Sequence, residues 1–155
     1  MREYSAGINR KFVASNRGLL HCIYAITLIT LTNCATVQRH QFAEPTPDWE
    51  LRSGQLLYRS AASTLVGEVF VRFSNQGDFQ LNFSKGPGVT LLMLRQDASF
   101  ADVTGAIAGP GWSGPVAQAP ARLRSWLGLR DQLLGSPHQK MVRYVSGAET
   151  FVLRF

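Results

Sequence analysis

A chain of 155 residues holds one domain's worth of sequence, and with 45% hydrophobic and 17% charged residues it is not the sequence of a disordered polymer. The formal charge of +6 does not mark a nucleic-acid binder: Arg2, Arg10, Lys11 and Arg17, opposed only by Glu3, crowd the first 17 residues, and the other 12 of 16 cations face 9 of 10 anions scattered along the rest. Both cysteines, Cys22 and Cys34, precede residue 35, so the body of the chain has neither a disulfide nor a thiolate metal site to hold it.

Residues 2–18 carry the N-terminal positive charge, and residues 19–32 are an apolar stretch of 14 interrupted by His21. That length suits a secretory h-region and is short of the roughly 20 residues that a helix needs to cross a bilayer's hydrocarbon core. A buried core helix is the alternative, but Ile23, Ile26, Leu28, Ile29 and Leu31 would be spread around it and leave no polar face. The run ends in Leu31-Thr32-Asn33-Cys34, which resembles the lipobox of bacterial lipoproteins. Leu31, Thr32 and Cys34 match that pattern; Asn33 departs from it, since Gly, Ala or Ser is usual there. The resemblance implies a signal peptide over residues 1–33, diacylation of the Cys34 thiol, and a membrane as the first partner. Two or three acyl chains anchor a protein stably. Ala35 rather than Asp after the cysteine resembles lipoproteins destined for the periplasmic face of the outer membrane, where the host has two membranes. Residues 34–48 then read as a tether stiffened by Pro45 and Pro47, with His40 solvated.

From residue 49 to 155 the pattern changes to a period of two. Gln55–Ser60 is a short strand, and Leu65–Asn75 a longer one with Val69, Val71 and Phe73 on one face, although Phe70 breaks the alternation. After the turn Asn75-Gln76-Gly77-Asp78, Phe79, Leu81 and Phe83 alternate with Gln80, Asn82 and Ser84, which predicts an antiparallel hairpin with one apolar and one wet face. Val89–Arg95 follows as a strand apolar on both faces, with Leu91 and Met93 assigned to the same face as the hairpin's Phe and Leu residues. Ser99–Gly105 is a weaker fifth strand. Gly109, Gly111 and Gly114 form a G-x-G-x-x-G, but no strand runs through it directly into a helix, so it reads as a loop bearing an exposed Trp112. Pro120–Leu134 is the one convincing helix. Leu123, Trp126, Leu127, Leu133 and Leu134 make its apolar stripe, with Leu129 at the margin and Arg122 and Arg124 at its electropositive end. Met141–Val145 and Thr150–Phe155 close the chain as two short strands. The expected fold is mainly β (α+β): a curved antiparallel sheet or half-barrel with one amphipathic helix on its apolar face.

Catalysis needs converging polar groups, and no G-x-S-x-G, H-E-x-x-H or C-x-x-C is present. His138 lies near Asp131 and Ser136 in sequence only, and the body's carboxylates are dispersed. The reading is therefore of a protein that is not an enzyme, with no catalytic residue, metal site, cofactor or nucleic-acid partner. What remains is the apolar face of the sheet, either filled by side chains or open to an apolar ligand. The run from Val66 to Leu129 resembles the middle of the LolA/LolB lipoprotein-carrier family in the order of its parts: hairpin strands, the turn Ser84-Lys85-Gly86-Pro87-Gly88, an apolar strand, a further strand, a Gly/Pro loop, and the helix containing Leu123-Arg124-Ser125-Trp126-Leu127-Gly128-Leu129. The resemblance implies a half-open barrel with a helical lid whose concave face accepts acyl chains of lipoproteins. On that reading Val69, Val71, Phe73, Phe79, Leu81, Phe83, Leu91, Met93 and Trp126 are the ligand-binding residues, and the ligand is an acyl chain or a lipidated protein. Two departures stand against it: Pro87 occupies the position where LolB members carry an apolar loop tip, and the body is shorter than the family norm. The competing expectation is a scaffolding envelope lipoprotein with a filled core, which docks a protein partner through an edge strand or Trp112.

Overall fold

A computed structural model describes residues 40–155 other than Pro87. The expected leader, the expected acylation site Cys34, the first part of the expected tether and Pro87 lie outside the described residues. The elements run β1 (Glu50–Arg59), β2 (Thr64–Phe73), β3 (Phe79–Ser84), β4 (Thr90–Gln96), β5 (Phe100–Thr104), β6 (Trp112–Pro115), α1 (Ala121–Leu134), β7 (Met141–Ser146) and β8 (Glu149–Arg154). All pairings are antiparallel, and the eight strands make one sheet in the order β6-β5-β4-β3-β2-β1-β8-β7. The sheet does not close, so β6 and β7 are its edges. Helix α1 follows β6 and precedes β7 in the chain, and its apolar stripe lies on the sheet's inner face.

The period-two segments form strands because one face of each has somewhere dry to go. Val69, Val71 and Phe73 of β2 pair across the ladder with Phe83, Leu81 and Phe79 of β3, and all six are buried. The turn between them is closed by Ser74, whose Oγ donates to Asp78 Oδ2 at 2.8 Å and accepts the backbone N–H groups of Gln76 and Asp78 at 3.1 Å. Gly77 has a φ of 92°, a conformation that side chains with a Cβ rarely adopt.

Three elements differ from the sequence-based expectation. β1 starts at Glu50, five residues earlier than the alternation from Gln55 suggests, because Gly54 and the single apolar Leu51 hide its first half. A Cβ on Gly54 would lie 1.9 Å from the carbonyl oxygen of Arg154, so the close approach of β8 selects glycine there. Trp112 is not on an exposed loop. It begins the edge strand β6, is half-buried, and packs its ring over Gly114, where a Cβ would lie 3.0 Å from it. On α1, Leu129 is fully buried and Leu134 half-buried, which reverses their expected places on the stripe.

Candidate functional site

The inner face of the sheet is where the expected ligand-binding residues were placed. Val69, Val71, Phe73, Phe79, Leu81 and Phe83 are brought together there and all are buried. Trp126 of α1 inserts among them, with ring centroids 4.9 Å from Tyr58, 4.9 Å from Phe151 and 6.0 Å from Phe83. The helix that was expected to lie over this face therefore fills it. One of the nine, Met93, is not with the others, and Leu91 is buried in the same core although it falls out of the ladder's alternation. The ladder between β3 and β4 shifts register at Phe83/Ser84, pairing Phe83 with Leu92 and Ser84 with Thr90, so Leu91 sits in a bulge. Leu92 and Leu94 continue the inner face of the ladder, Leu91 stays buried in the same core from its bulge, and Met93 points outward with 48% of its surface exposed.

Beneath α1 lies a polar group that has no signal in the sequence. Glu149, the first residue of β8, accepts hydrogen bonds from the Tyr58 hydroxyl on one carboxylate oxygen and from the Ser125 hydroxyl on the other. Burial, reinforced by the hydrogen bond to the Glu149 carboxylate and its charge, pushes the Tyr58 phenol up to about 12. Ser125 is only 3% exposed and Glu149 is half-buried, so the cluster clasps the helix to the sheet. At the other end of α1, Arg130 Nε donates to the Gly77 carbonyl at 2.8 Å. The arginines of the first turn are also engaged: Arg122 donates to the Ala108 carbonyl at 3.3 Å and Arg124 to that of Ala119 at 3.1 Å. No polar signal in the sequence separates these residues from ordinary surface groups; only the fold makes them neighbours.

The outer face offers a different surface. An open groove of about 640 Å3 has Leu51, Phe70 and Met93 as its apolar lining and Arg72, Gln80, Asn82 and Arg95 as its polar lining, with Glu44 and Pro45 forming one wall. Leu51, Phe70 and Met93 are 57%, 47% and 48% exposed. Asn82 Oδ1 and Arg95 Nε are buried in this lining without a hydrogen-bond partner among the described residues. The irregular Phe70 in the β2 alternation and the second apolar face of Val89–Arg95 are the visible signs of an apolar outer face.

The Glu44 wall belongs to the segment that reads as a proline-stiffened tether. His40, expected to be solvated, instead places Nε2 2.5 Å from Asp97 Oδ2 and stacks on the Phe100 ring at 4.4 Å. Phe42 meets the His40 ring edge-on at 4.9 Å and lies beneath the Arg95 guanidinium at 5.1 Å, and Arg95 Nη2 reaches Glu44 Oε1 at 3.3 Å. Burial raises the Asp97 pKa, but the backbone N–H groups of Ser99 and Phe100 and the His40 ring outweigh it and hold the carboxyl below the usual range.

His138 and Glu50 line a shallow depression of about 380 Å3 beside the Ser74–Gly77 turn, with no hydrogen bond between them. Among the described residues no three His, Cys, Asp or Glu side chains come together to hold a metal ion, and no helix is long and apolar enough to cross a membrane. No family model matches the chain, and no curated protein matches it.

Proposed function

We propose that this protein is a membrane-anchored envelope lipoprotein that works as a docking module. Acylated Cys34 holds it at the membrane, and a half-barrel with a filled core presents its outer groove to a protein partner. The observation that carries this reading is the contrast between the two faces of the sheet: the inner one is occupied by Trp126 and its neighbours, while Leu51, Phe70 and Met93 stand exposed on the outer one. Exposed apolar side chains beside two arginines suit a partner segment that is apolar with an acidic residue.

A second reading keeps the apolar inner face as an acyl-chain site that opens when α1 lifts. The polar clasp favours it, because hydrogen bonds from Ser125 and Arg130 can be exchanged for water more readily than a wholly apolar seam can be opened. One titration separates the two. Residues 35–155, purified without lipid, are mixed with a fluorescent fatty acid. The docking reading predicts no saturable binding. Saturable binding that is lost in Phe83→Asp, with the fold retained by circular dichroism, would transfer the function to the inner face.

A further inference from the structure

We infer that the segment from His40 to Asp48 is a strap that decides which end of the domain faces the membrane, namely the end bearing the β2–β3 and β4–β5 turns. The inference rests on acylation of Cys34.

The strap starts at the β4–β5 turn, where His40 is held by Asp97 and Phe100, and finishes at the start of β1, where the Trp49 N–H bonds the Thr46 carbonyl at 3.1 Å. Both places lie at one end of the sheet. Glu50 pairs with Phe73 at the last residue of β2, and Phe79 pairs with Gln96 at the last residue of β4. The β1–β2 turn, residues 60–63, is at the opposite end, separated by the ten residues of β2, or about 30 Å at the usual rise of a strand.

The lengths decide the orientation. Were residues 34–48 free along their whole length, the 14 steps between Cys34 and Asp48 (48 − 34) could span about 50 Å, enough to let either end of the sheet meet the bilayer. With His40 fixed, only six steps remain (40 − 34), and they reach about 22 Å at most. That is shorter than the sheet. The bilayer surface then meets the strapped end, which displays Leu51 and the exposed side chains of Gln76, His138 and Lys140, and the β1–β2 turn points away from it.

The test uses the full chain, matured in a bacterial host and reconstituted into phosphatidylcholine–phosphatidylglycerol vesicles that carry a headgroup-linked quencher. A fluorophore is attached at Ala98→Cys in the β4–β5 turn or at Ala62→Cys in the β1–β2 turn, two exposed alanines. The expected result is several-fold stronger quenching at position 98 than at 62. It is also expected that the difference collapses in the His40→Ala, Phe42→Ala double variant, in which segment 40–48 loses its protection from hydrogen exchange. Equal quenching at the two positions, stronger quenching at 62, or a difference that survives release of the strap overturns the inference. Mass spectrometry keeps the two failures apart: an unmodified Cys34 overturns the lipid-anchor reading and this inference with it, whereas acylated protein with the wrong quenching pattern overturns the inference alone.

Discussion

Tyr58, Ser125 and Glu149 share one hydrogen-bonded group under α1, and Tyr58 is the member whose ionisation reports on it. Its pKa is raised to about 12 from the ordinary 10.0. The unfolded chain therefore loses this proton before the folded one does. The contribution is complete below pH 10 and is lost as pH rises towards about 12, a swing on the order of 2 kcal/mol. Denaturant midpoints measured from pH 8 to 12 should fall across that window in the unaltered protein and fall less steeply in Tyr58→Phe. Trp126 offers a second test at this scale. It is fully buried against three other rings, so Trp126→Ala should cost about 3–5 kcal/mol in chemical denaturation. Trp126 could be assigned to the interior from its place on an amphipathic helix. Glu149 could not, because a glutamate following Ser146-Gly147-Ala148 has the sequence of a solvent-facing turn.

The hairpin β2–β3 and helix α1 were legible in the sequence because each has one clear period and a defined stop: Gly77 in the turn, and Gly135 with Pro137 after the helix. β4 was not. Leu91 to Leu94 are apolar on both faces, so alternation gives no phase, and the bulge at Leu91 changes the phase that counting from the hairpin would assign. Met93 was placed inward for that reason. β6 was missed because a four-residue edge strand inside GPGWSGP carries loop chemistry in its own sequence. Gly54 shows how a glycine can conceal a strand that depends on it. Gly54→Ala should force β8 away from β1 and cost about 1–3 kcal/mol, read as a lower denaturant midpoint with an unchanged slope.

At the scale of the whole molecule, the open sheet has its inner face filled, and on the docking and strap proposals it meets others through its outer face and the strap. The strap should respond to acid. Because the Asp97 carboxyl is held below the usual range in the folded state, its contribution is present above about pH 4 and is lost as pH falls through the depressed value. Hydrogen exchange of segment 40–48 should accelerate in that window, and Asp97→Asn should show the same acceleration at neutral pH. The strap could not be read from the sequence, since it looks like a proline-containing linker, and the groove shows there only as an out-of-phase Phe70 and a strand apolar on both faces, because it is assembled from four strands. The docking proposal is tested most directly by photo-crosslinking in intact cells from a benzoylphenylalanine placed at Met93. It predicts one discrete protein adduct, lost when Phe70 is changed to Ser, a substitution at a half-exposed site that leaves the fold intact. A varied ladder of lipoprotein adducts, or efficient crosslinking from position 83 on the inner face in place of position 93, would contradict it.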